Sequence, residues 1–279
     1  MQLGICSFSF HRLLAAGKQD IFRFILDCKE LGCTQLDPWN AHLSVIRTGD
    51  SILQAGRNPH QSQNFLSAAD EDYIEKVRQA AAAAKMPWGT IAVDGAHIYE
   101  PTEDGRKANR ARAYRWIDVA ARLGAKQIRI DAGGPEDMPP DIFAIIQAGY
   151  RDIIDKAAEH KIQVLFENHF GPSVIPDNCV KLLENIDGLG FLLDTHNWKA
   201  GQRDQGRQKL ARFANATHIK TLEWDSDGNE VNENAPDAIR LLLDAGYKGA
   251  WGIESVPRDG DEYGGCRKTI ALIKRFVPN

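Results

Sequence analysis

Short apolar runs alternate along the chain with segments in which apolar residues recur at helical spacing. Eight of the runs have the length and the apolar character of strands that are buried in a parallel sheet. These predicted strands lie at 3–10, 33–40, 90–99, 126–134, 164–166, 190–195, 216–221 and 249–255. The predicted helices that follow them lie at 20–33, 70–86, 105–123, 139–160, 177–186, 203–214, 235–245 and 264–276. The pattern therefore predicts eight strand–helix pairs.

Local signals support several of these helices. Asp20 directly precedes the first helical apolar residue and is a candidate N-cap. The alanine run at 80–84 is a strong helix former, and Pro139 and Pro140 stand at a helix entry, where proline is tolerated. A long polar loop is predicted at 42–67, between the second strand and its helix.

The regular alternation predicts an α/β fold. Strands and helices in this order are typical of parallel strands joined by right-handed crossovers, and eight such units close into a (β/α)8 TIM barrel. The chain has 279 residues, near the usual barrel length of about 250. No glycine-rich phosphate or dinucleotide fingerprint follows the first strand, which removes the main reason to prefer a doubly wound sheet. We predict a single barrel domain over 1–279.

Composition and charge limit the partners. The net charge of -4 and the pI near 6.1 provide no basic surface for nucleic acid or an anionic membrane, so a small polar ligand is expected. The amino terminus lacks signal-peptide features, and no stretch approaches 18 apolar residues, which predicts a cytoplasmic protein with no membrane partner. The five cysteines are dispersed without CxxC spacing and are expected to be buried thiols.

The last four predicted strands each deliver an ionisable side chain, in the order Glu167, Asp194, His218, Glu254. Each residue alone is more commonly a solvated or hydrogen-bonded group than a ligand. Together they would meet at the carboxyl ends of the barrel strands, where such barrels build their active sites. Three oxygen ligands with one imidazole suit one divalent ion such as Mn²⁺, Mg²⁺ or Co²⁺, with Zn²⁺ also open.

Further polar and aromatic residues fall at the same predicted strand ends. The candidate substrate-binding residues are Trp39, Asp94, His97, Arg129, Asp131, His169, His196 and Lys220. Structural roles remain open for several of them, because Asp94 before Gly95 is an ordinary turn pair and Arg129 with Asp131 would form an ion pair at the barrel mouth. Four aromatic residues are candidates for a sugar-stacking wall or for core packing: Phe8, Phe10, Trp39 and Trp198.

The motifs ENH, LLDTHNW, HIK and GIES around the four ionisable residues resemble those of the xylose isomerase-like barrel superfamily of sugar isomerases and epimerases. That superfamily includes ketose epimerases, inosose isomerases and dehydratases, and the resemblance covers nearly the whole chain. It implies one divalent cation, with manganese favoured, at the four positions. It also implies that Glu167 and Glu254 act as acid and base from opposite sides of the substrate, whereas Asp194 and His218 are ligands only.

The chain departs from the ketose 3-epimerase pattern at two positions. His196 follows Asp194 by two residues instead of three, and Trp224 stands six residues after His218, where those enzymes have arginine. The resemblance therefore favours the broader sugar phosphate isomerase/epimerase members, whose substrates vary.

These residues predict a metal-dependent isomerase or epimerase for a ketose, an inosose or a related sugar derivative. A carboxylate would remove the proton beside a metal-bound carbonyl and leave an enediolate, with His169, His196 or Lys220 as candidate second acids. The alternative is a lyase or dehydratase that eliminates from a keto sugar or keto glycoside after the same first step. An endonuclease IV-like enzyme would need more histidines and a basic face, which the sequence does not offer. A sugar-binding barrel without catalysis and a homo-oligomer both stay open.

Overall fold

The computed structural model describes residues 1–58 and 66–277, which form a curved sheet of seven parallel strands surrounded by ten α-helices. The strand order is β1-β7-β6-β5-β4-β3-β2. The strands are β1 (Leu3–Ile5), β2 (Thr90–Val93), β3 (Gln127–Ile130), β4 (Gln163–Glu167), β5 (Gly190–Asp194), β6 (Ala214–Thr221) and β7 (Trp251–Ser255). The helices are α1 (His11–Ala15), α2 (Ile21–Glu30), α3 (Asp50–Arg57), α4 (Glu71–Ala84), α5 (Glu103–Leu123), α6 (Pro140–Ala158), α7 (Pro176–Asn185), α8 (Arg203–Leu210), α9 (Ala235–Asp244) and α10 (Glu262–Phe276).

The gap between β1 and β2 is filled by the chain at 36–39, and this is where the prediction of a strand at 33–40 was wrong. The segment pairs with its neighbours through isolated bridges, Cys6 with Asp37 on one side, and Leu36 with Trp88 and Trp39 with Ala92 on the other. Pro38 has no N–H to donate, so a continuous ladder cannot form through the segment. Its carbonyl still accepts from the Ala92 N–H at 2.9 Å. The predicted barrel is confirmed, with seven strands and this segment in place of eight strands.

Most predicted helices match the structure closely. The Asp20 side chain accepts from the Arg23 N–H at 2.8 Å and caps α2, as its position predicted. The amino-terminal region differs, because the strand predicted over 3–10 ends at Ile5 and a 3-10 turn at Ser7–Phe10 leads into α1. The predicted loop at 42–67 contains α3, and its residues 59–65 lie outside the described part of the chain.

Alternation along the strands builds the barrel interior in layers. Side chains two residues apart point to the same face of a strand. A small apolar cluster of Leu165, Leu192 and Ala216 forms one layer. The residues two positions further along these same strands are Glu167, Asp194 and His218, so the next layer toward the carboxyl ends is ionisable.

The main hydrophobic core lies on the other face of the sheet, against the helices. Phe166 of β4 and Phe191 of β5 pack there with ring centroids 5.0 Å apart and their planes tilted by 46°, and the Tyr150 hydroxyl of α6 donates to the Ile130 carbonyl at 2.9 Å. These contacts fix the register of the strands that carry the ionisable layer. Among the helices of the described residues, none has the length and apolar character needed to cross a membrane.

Candidate functional site

Four ionisable side chains meet inside the barrel at the carboxyl ends of β4, β5, β6 and β7. Glu167, Asp194, His218 and Glu254 are all buried, and their nearest donor atoms all lie within 4.8 Å of one another. His218 Nδ1 lies 3.1 Å from Glu167 Oε1 and 2.9 Å from Glu254 Oε2. The structure therefore brings together the whole predicted ligand set.

The Asp194 carboxylate is oriented by backbone donors of its own loop. Its Oδ1 accepts from the N–H groups of His196 at 2.6 Å and Asn197 at 2.9 Å. The side-chain amide of Asn168, from the ENH motif, binds the backbone of the same residue. It donates to the Asp194 carbonyl at 2.8 Å and accepts from the Asp194 N–H at 2.9 Å. Oδ2 is buried and accepts no hydrogen bond from the described residues, and Lys220 Nζ lies 3.5 Å away.

Glu167 has a similar buried oxygen. Its Oε2 lies 3.0 Å from Arg129 Nε, but these two atoms are not aligned for a hydrogen bond. No described residue donates a hydrogen bond to Oε2. Buried carboxylate oxygens without aligned donors are costly unless another group neutralises them. Two such oxygens in a set of three carboxylates and one imidazole fit a divalent cation.

Opposite charges within the site shift the pKa values of these groups. Burial opposes ionisation of Glu254, but the Lys220 ammonium and His218 hold its pKa well below the usual value. Burial likewise opposes the charged form of Glu167, and His218 and Arg129 lower its pKa. Burial raises the pKa of Asp194, whereas Glu167 raises the pKa of His218 well above its ordinary value despite burial. These shifts favour ionised glutamates, and His218 would release its proton on binding a cation.

A second cluster of polar side chains lies next to the first, at the carboxyl ends of β2 and β3. The Arg129 guanidinium lies 2.7 Å from Asp94 Oδ1 and 3.1 Å from Asp131 Oδ2. His169 Nδ1 lies 2.9 Å from the same Asp131 oxygen, and the Trp39 indole donates to Asp94 at 2.8 Å. The predicted ion pair between Arg129 and Asp131 is present, and it belongs to a network that reaches Glu167.

A cavity of about 180 Å³ opens onto both groups. Six of the residues predicted at the site line it: Trp39, Asp94, Arg129, His169, Lys220 and Glu254. Residues that the sequence did not single out as ligands also line it, among them Cys6, Phe170 and Asn197. Asn197 follows Asp194 by three residues in the same motif, and this proximity was the available signal for it.

The aromatic candidates divide between the cavity and the core. Phe8 and Trp39 line the cavity with their ring centroids 5.1 Å apart in an edge-to-face arrangement. Phe10 and Trp198 belong to the main hydrophobic core. Of these four candidates, Phe8 and Trp39 are therefore the two that can contribute to an aromatic wall of the cavity, beside Phe170.

Two predicted substrate-binding histidines lie outside the lining of this cavity. His97 Nε2 lies 2.6 Å from Glu100, and its carbonyl accepts from Asn109 at 2.9 Å. His196 is about half exposed, and its Nδ1 lies 2.6 Å from the buried Glu233. Glu233 is a partner that the sequence gave no reason to choose, because it stands 37 residues away.

All five cysteines are buried, as predicted. Cys6 differs from the others in its position, because its donor atom lies within 4.8 Å of those of His218 and Glu254. Burial raises the pKa of the Cys6 thiol, and the neighbouring His218 acts in the opposite direction.

Residues 53–276 match the family described as xylose isomerase-like TIM barrel, and the chain belongs to that family. No curated protein matches the sequence. The structure resembles the IOLI protein with a bound zinc atom (TM-score 0.72, 11% identity, covering 100% of both chains). It also resembles the probable 3-DHS dehydratase AsbF of Bacillus anthracis (TM-score 0.68, 15% identity, 100% of both chains). A third similar structure is the 3-keto-D-glucoside 4-epimerase YcjR of E. coli (TM-score 0.68, 16% identity, 92% of this chain and 95% of that one). At these identities the structural similarity establishes the fold.

Proposed function

We propose that the protein is a divalent-metal-dependent isomerase or epimerase of a ketose, an inosose or a related sugar derivative. The observation that carries this proposal is the convergence of Glu167, Asp194, His218 and Glu254, with donor atoms within 4.8 Å, beside a cavity of about 180 Å³. The cavity is smaller than a typical drug-sized pocket and suits a small polar molecule. The similarity of the fold to an epimerase and a dehydratase acting on keto compounds supports the same class of chemistry.

The four donors would hold the cation, with Mn²⁺ favoured, and Mg²⁺, Co²⁺ and Zn²⁺ as alternatives. A cation at this position would polarise a substrate carbonyl and make the adjacent C–H more acidic. Zinc in a protein of similar fold supports a metal at such a site.

The two glutamates would move the proton. Glu254 lines the cavity, and the Lys220 ammonium lowers the pKa of its carboxyl group, so an ionised Glu254 oxygen is placed to accept a proton from substrate carbon. Glu167 approaches from β4, three strands away, and would return a proton from the other side in an epimerisation. Asp194 and His218 would remain ligands.

The remaining cavity residues would bind and orient the substrate. Arg129 and Asp94 present an ion pair to the cavity, and Lys220 presents an ammonium group. Phe8 and Trp39 supply an apolar face on which a sugar ring can pack. His97 and His196 lie outside the cavity lining, so we place them behind or at the margin of the substrate site.

A lyase or dehydratase is the second candidate, and one observation favours it. His169 lines the cavity while its Nδ1 contacts Asp131, an arrangement that fixes the imidazole for proton transfer. An elimination needs such a second acid to protonate the leaving hydroxyl or glycosyl oxygen, and His169 could supply it.

Solvent deuterium incorporation tests the proposal and separates the two candidates. The protein is supplied with Mn²⁺ and incubated in D₂O with a panel of ketoses, inososes and 3-keto glycosides, and the products are followed by NMR. Deuterium at carbon in a product that keeps the atoms of the substrate is expected for an isomerase or epimerase. Loss of water or of the aglycone would identify a lyase. The absence of exchange with every compound, despite bound metal, would contradict both.

A further inference from the structure

Cys6 lies at the edge of the proposed metal site. It follows β1 directly, is 2% exposed, and lines the same cavity as Glu254. Its N–H donates at 2.7 Å to the carbonyl of Ile253, the residue before Glu254 on β7. On its other side, the Cys6 backbone forms an isolated β-bridge with Asp37. The backbone of Cys6 is therefore held between two neighbouring segments of the barrel, one of which carries a proposed ligand.

The donor atoms of Cys6, His218 and Glu254 lie within 4.8 Å of one another. Two donors of one tetrahedral zinc ion, each about 2.0–2.3 Å from the metal, are separated by about 3.3–3.8 Å. Cys6 is grouped within the 4.8 Å limit with two of the four proposed ligands, and Glu167 and Asp194 are not in that group. To reach an ion held by His218 and Glu254, the thiol would turn toward them about the Cα–Cβ bond of Cys6.

The other cysteines have no comparable surroundings. Cys28, Cys33 and Cys266 belong to the hydrophobic core between sheet and helices. The thiol of Cys179, which lies on α7, donates to the Ser173 carbonyl at 3.0 Å. Among the described residues, Cys6 is the one cysteine grouped with possible metal donors. It also lies before the residues that match the family, 53–276, so the family match carries no expectation for it.

We propose that Cys6 is an additional ligand of the ion at Glu167, Asp194, His218 and Glu254, and that it raises the affinity of this site for thiophilic ions such as Zn²⁺ and Co²⁺. The proposal rests on the metal site of the proposed function. Carboxylate and imidazole donors alone suit Mn²⁺ and Mg²⁺, whereas a thiolate adds affinity for softer ions and little for Mg²⁺.

Cobalt spectroscopy tests this directly, without reference to turnover. The full-length protein is treated with a chelator, dialysed and titrated with Co²⁺. Sulfur ligation produces a charge-transfer band in the near ultraviolet, whereas oxygen and nitrogen ligands leave only the weak bands in the visible. We expect both features in the wild-type protein and in Cys179→Ser, which removes a buried thiol that is not grouped with possible metal donors. Cys6→Ser and Cys6→Ala should keep the visible bands and lose the ultraviolet one.

Competition between ions provides the second measurement. Cys6→Ser should lower Zn²⁺ affinity by about tenfold or more, since even the loss of a partner behind a ligand has an effect of that size. Its Mn²⁺ affinity should change by less than about threefold.

The outcomes separate the two proposals. Wild-type protein that binds Co²⁺ with visible bands but no ultraviolet band overturns the role of Cys6 and leaves the proposed function standing. An ultraviolet band that persists in both Cys6 variants also overturns it. Wild-type protein that binds none of the ions overturns both proposals.

Discussion

His218 is the residue on which the two proposed catalytic groups converge. Its Nδ1 lies within 3.1 Å of an oxygen of Glu167 and of Glu254, so one imidazole contacts carboxylates from two strands that are not neighbours. Lys220, two residues further along β6, contacts the other Glu254 oxygen. One strand therefore presents both a proposed ligand and the Lys220 ammonium to the same carboxylate.

Gln substitutions separate a ligand role from a base role for the two glutamates. An amide oxygen can still coordinate a cation but cannot accept a proton at neutral pH. We expect Glu167→Gln and Glu254→Gln each to lower substrate proton exchange by about 10²–10⁴-fold at saturating metal, the usual contribution of general acid–base catalysis. If the reaction is an elimination served by a histidine, only one of the two should show this loss.

The measurement is deuterium exchange into substrate at metal concentrations well above the affinity of each variant. Glu184→Gln, on the exposed surface of α7, is the matched control and should behave as wild type. Full exchange in both site variants would place the base elsewhere, with His169, which lines the cavity, as the next candidate.

His42 is a buried histidine outside the proposed site. It was expected in a loop, and the structure places it in a 3-10 turn with no exposed surface, where Nδ1 contacts the Ser7 hydroxyl at 2.9 Å. Burial lowers its pKa from 6.5 to about 3. The unfolded chain therefore binds a proton below pH 6.5 that the folded protein does not.

This difference predicts a pH dependence of stability. The contribution of neutral, buried His42 to the free energy of unfolding is fully present above pH 6.5. It is lost as the pH falls toward the folded-state pKa of about 3. Between about pH 7 and pH 5, the wild-type free energy of unfolding should fall by about 2 kcal/mol more than that of His42→Gln. Urea denaturation at several pH values measures both slopes. Parallel slopes would show that His42 titrates alike in the folded and unfolded states.

At the scale of elements, the segment at 36–39 completes the barrel without being a strand. The Asp37 side chain makes hydrogen bonds where a regular strand would pair through its backbone. Its carboxylate accepts from the Thr90 N–H and from the Gln35 side chain, both at 2.8 Å. Gly4 of β1 leaves the room for this carboxylate, since a Cβ there would overlap Asp37. The Asp37 side chain thus supplies an acceptor for a backbone N–H of β2.

Gly4→Ala should destabilise the fold through this contact. The Asp37 carboxylate is buried and held by two hydrogen bonds, so it cannot move aside without losing them. We expect a loss of about 1–3 kcal/mol in the free energy of unfolding, the usual cost of overpacking. Gly105→Ala, the same change in the first turn of α5, should cost less, because its Cβ would meet only the Glu100 and Thr102 side chains, at 3.0 Å or more, and alanine favours the helix. Equal effects of the two changes in denaturant unfolding would argue against a specific role for Gly4.

At the scale of the whole molecule, the proposed metal site links four consecutive strands of the sheet. β4, β5, β6 and β7 are neighbours in the strand order, and each contributes one of the four donors. An ion held at that point would bind the folded barrel and not the unfolded chain. Metal binding and global stability should therefore be coupled.

Divalent metal is expected to raise the melting temperature. A ligand at about 100 times its Kd adds about 2.7 kcal/mol, which for a chain of this size corresponds to about 5–10 °C. We expect this shift with Mn²⁺ after chelation and dialysis, together with about one bound ion per chain by elemental analysis.

Two variants on the same loop identify the ligand on β5. Asp194→Asn should abolish most of the shift, whereas His196→Asn should keep it, because His196 points to Glu233. Equal loss in both variants would mean that the ligand is misassigned, and no shift in the wild-type protein would contradict the metal site itself.

The sequence by itself determined the alternation of strands and helices and the four donors at successive strand ends. Both follow from local periodicity, since the spacing of apolar residues reveals each element and its end without knowledge of its neighbours. The ranges of α6, α9 and α10 differ from the predicted helices by two residues or fewer at each end.

Only the tertiary structure decided which distant residues meet. Whether 36–39 pairs as a strand, whether His196 points to Glu233 or into the cavity, and whether Cys6 reaches His218 depend on strand register and barrel closure. A shift of one residue in register turns every side chain of a strand to the other face. Packing of the whole barrel sets that register, and no local pattern in the sequence encodes it.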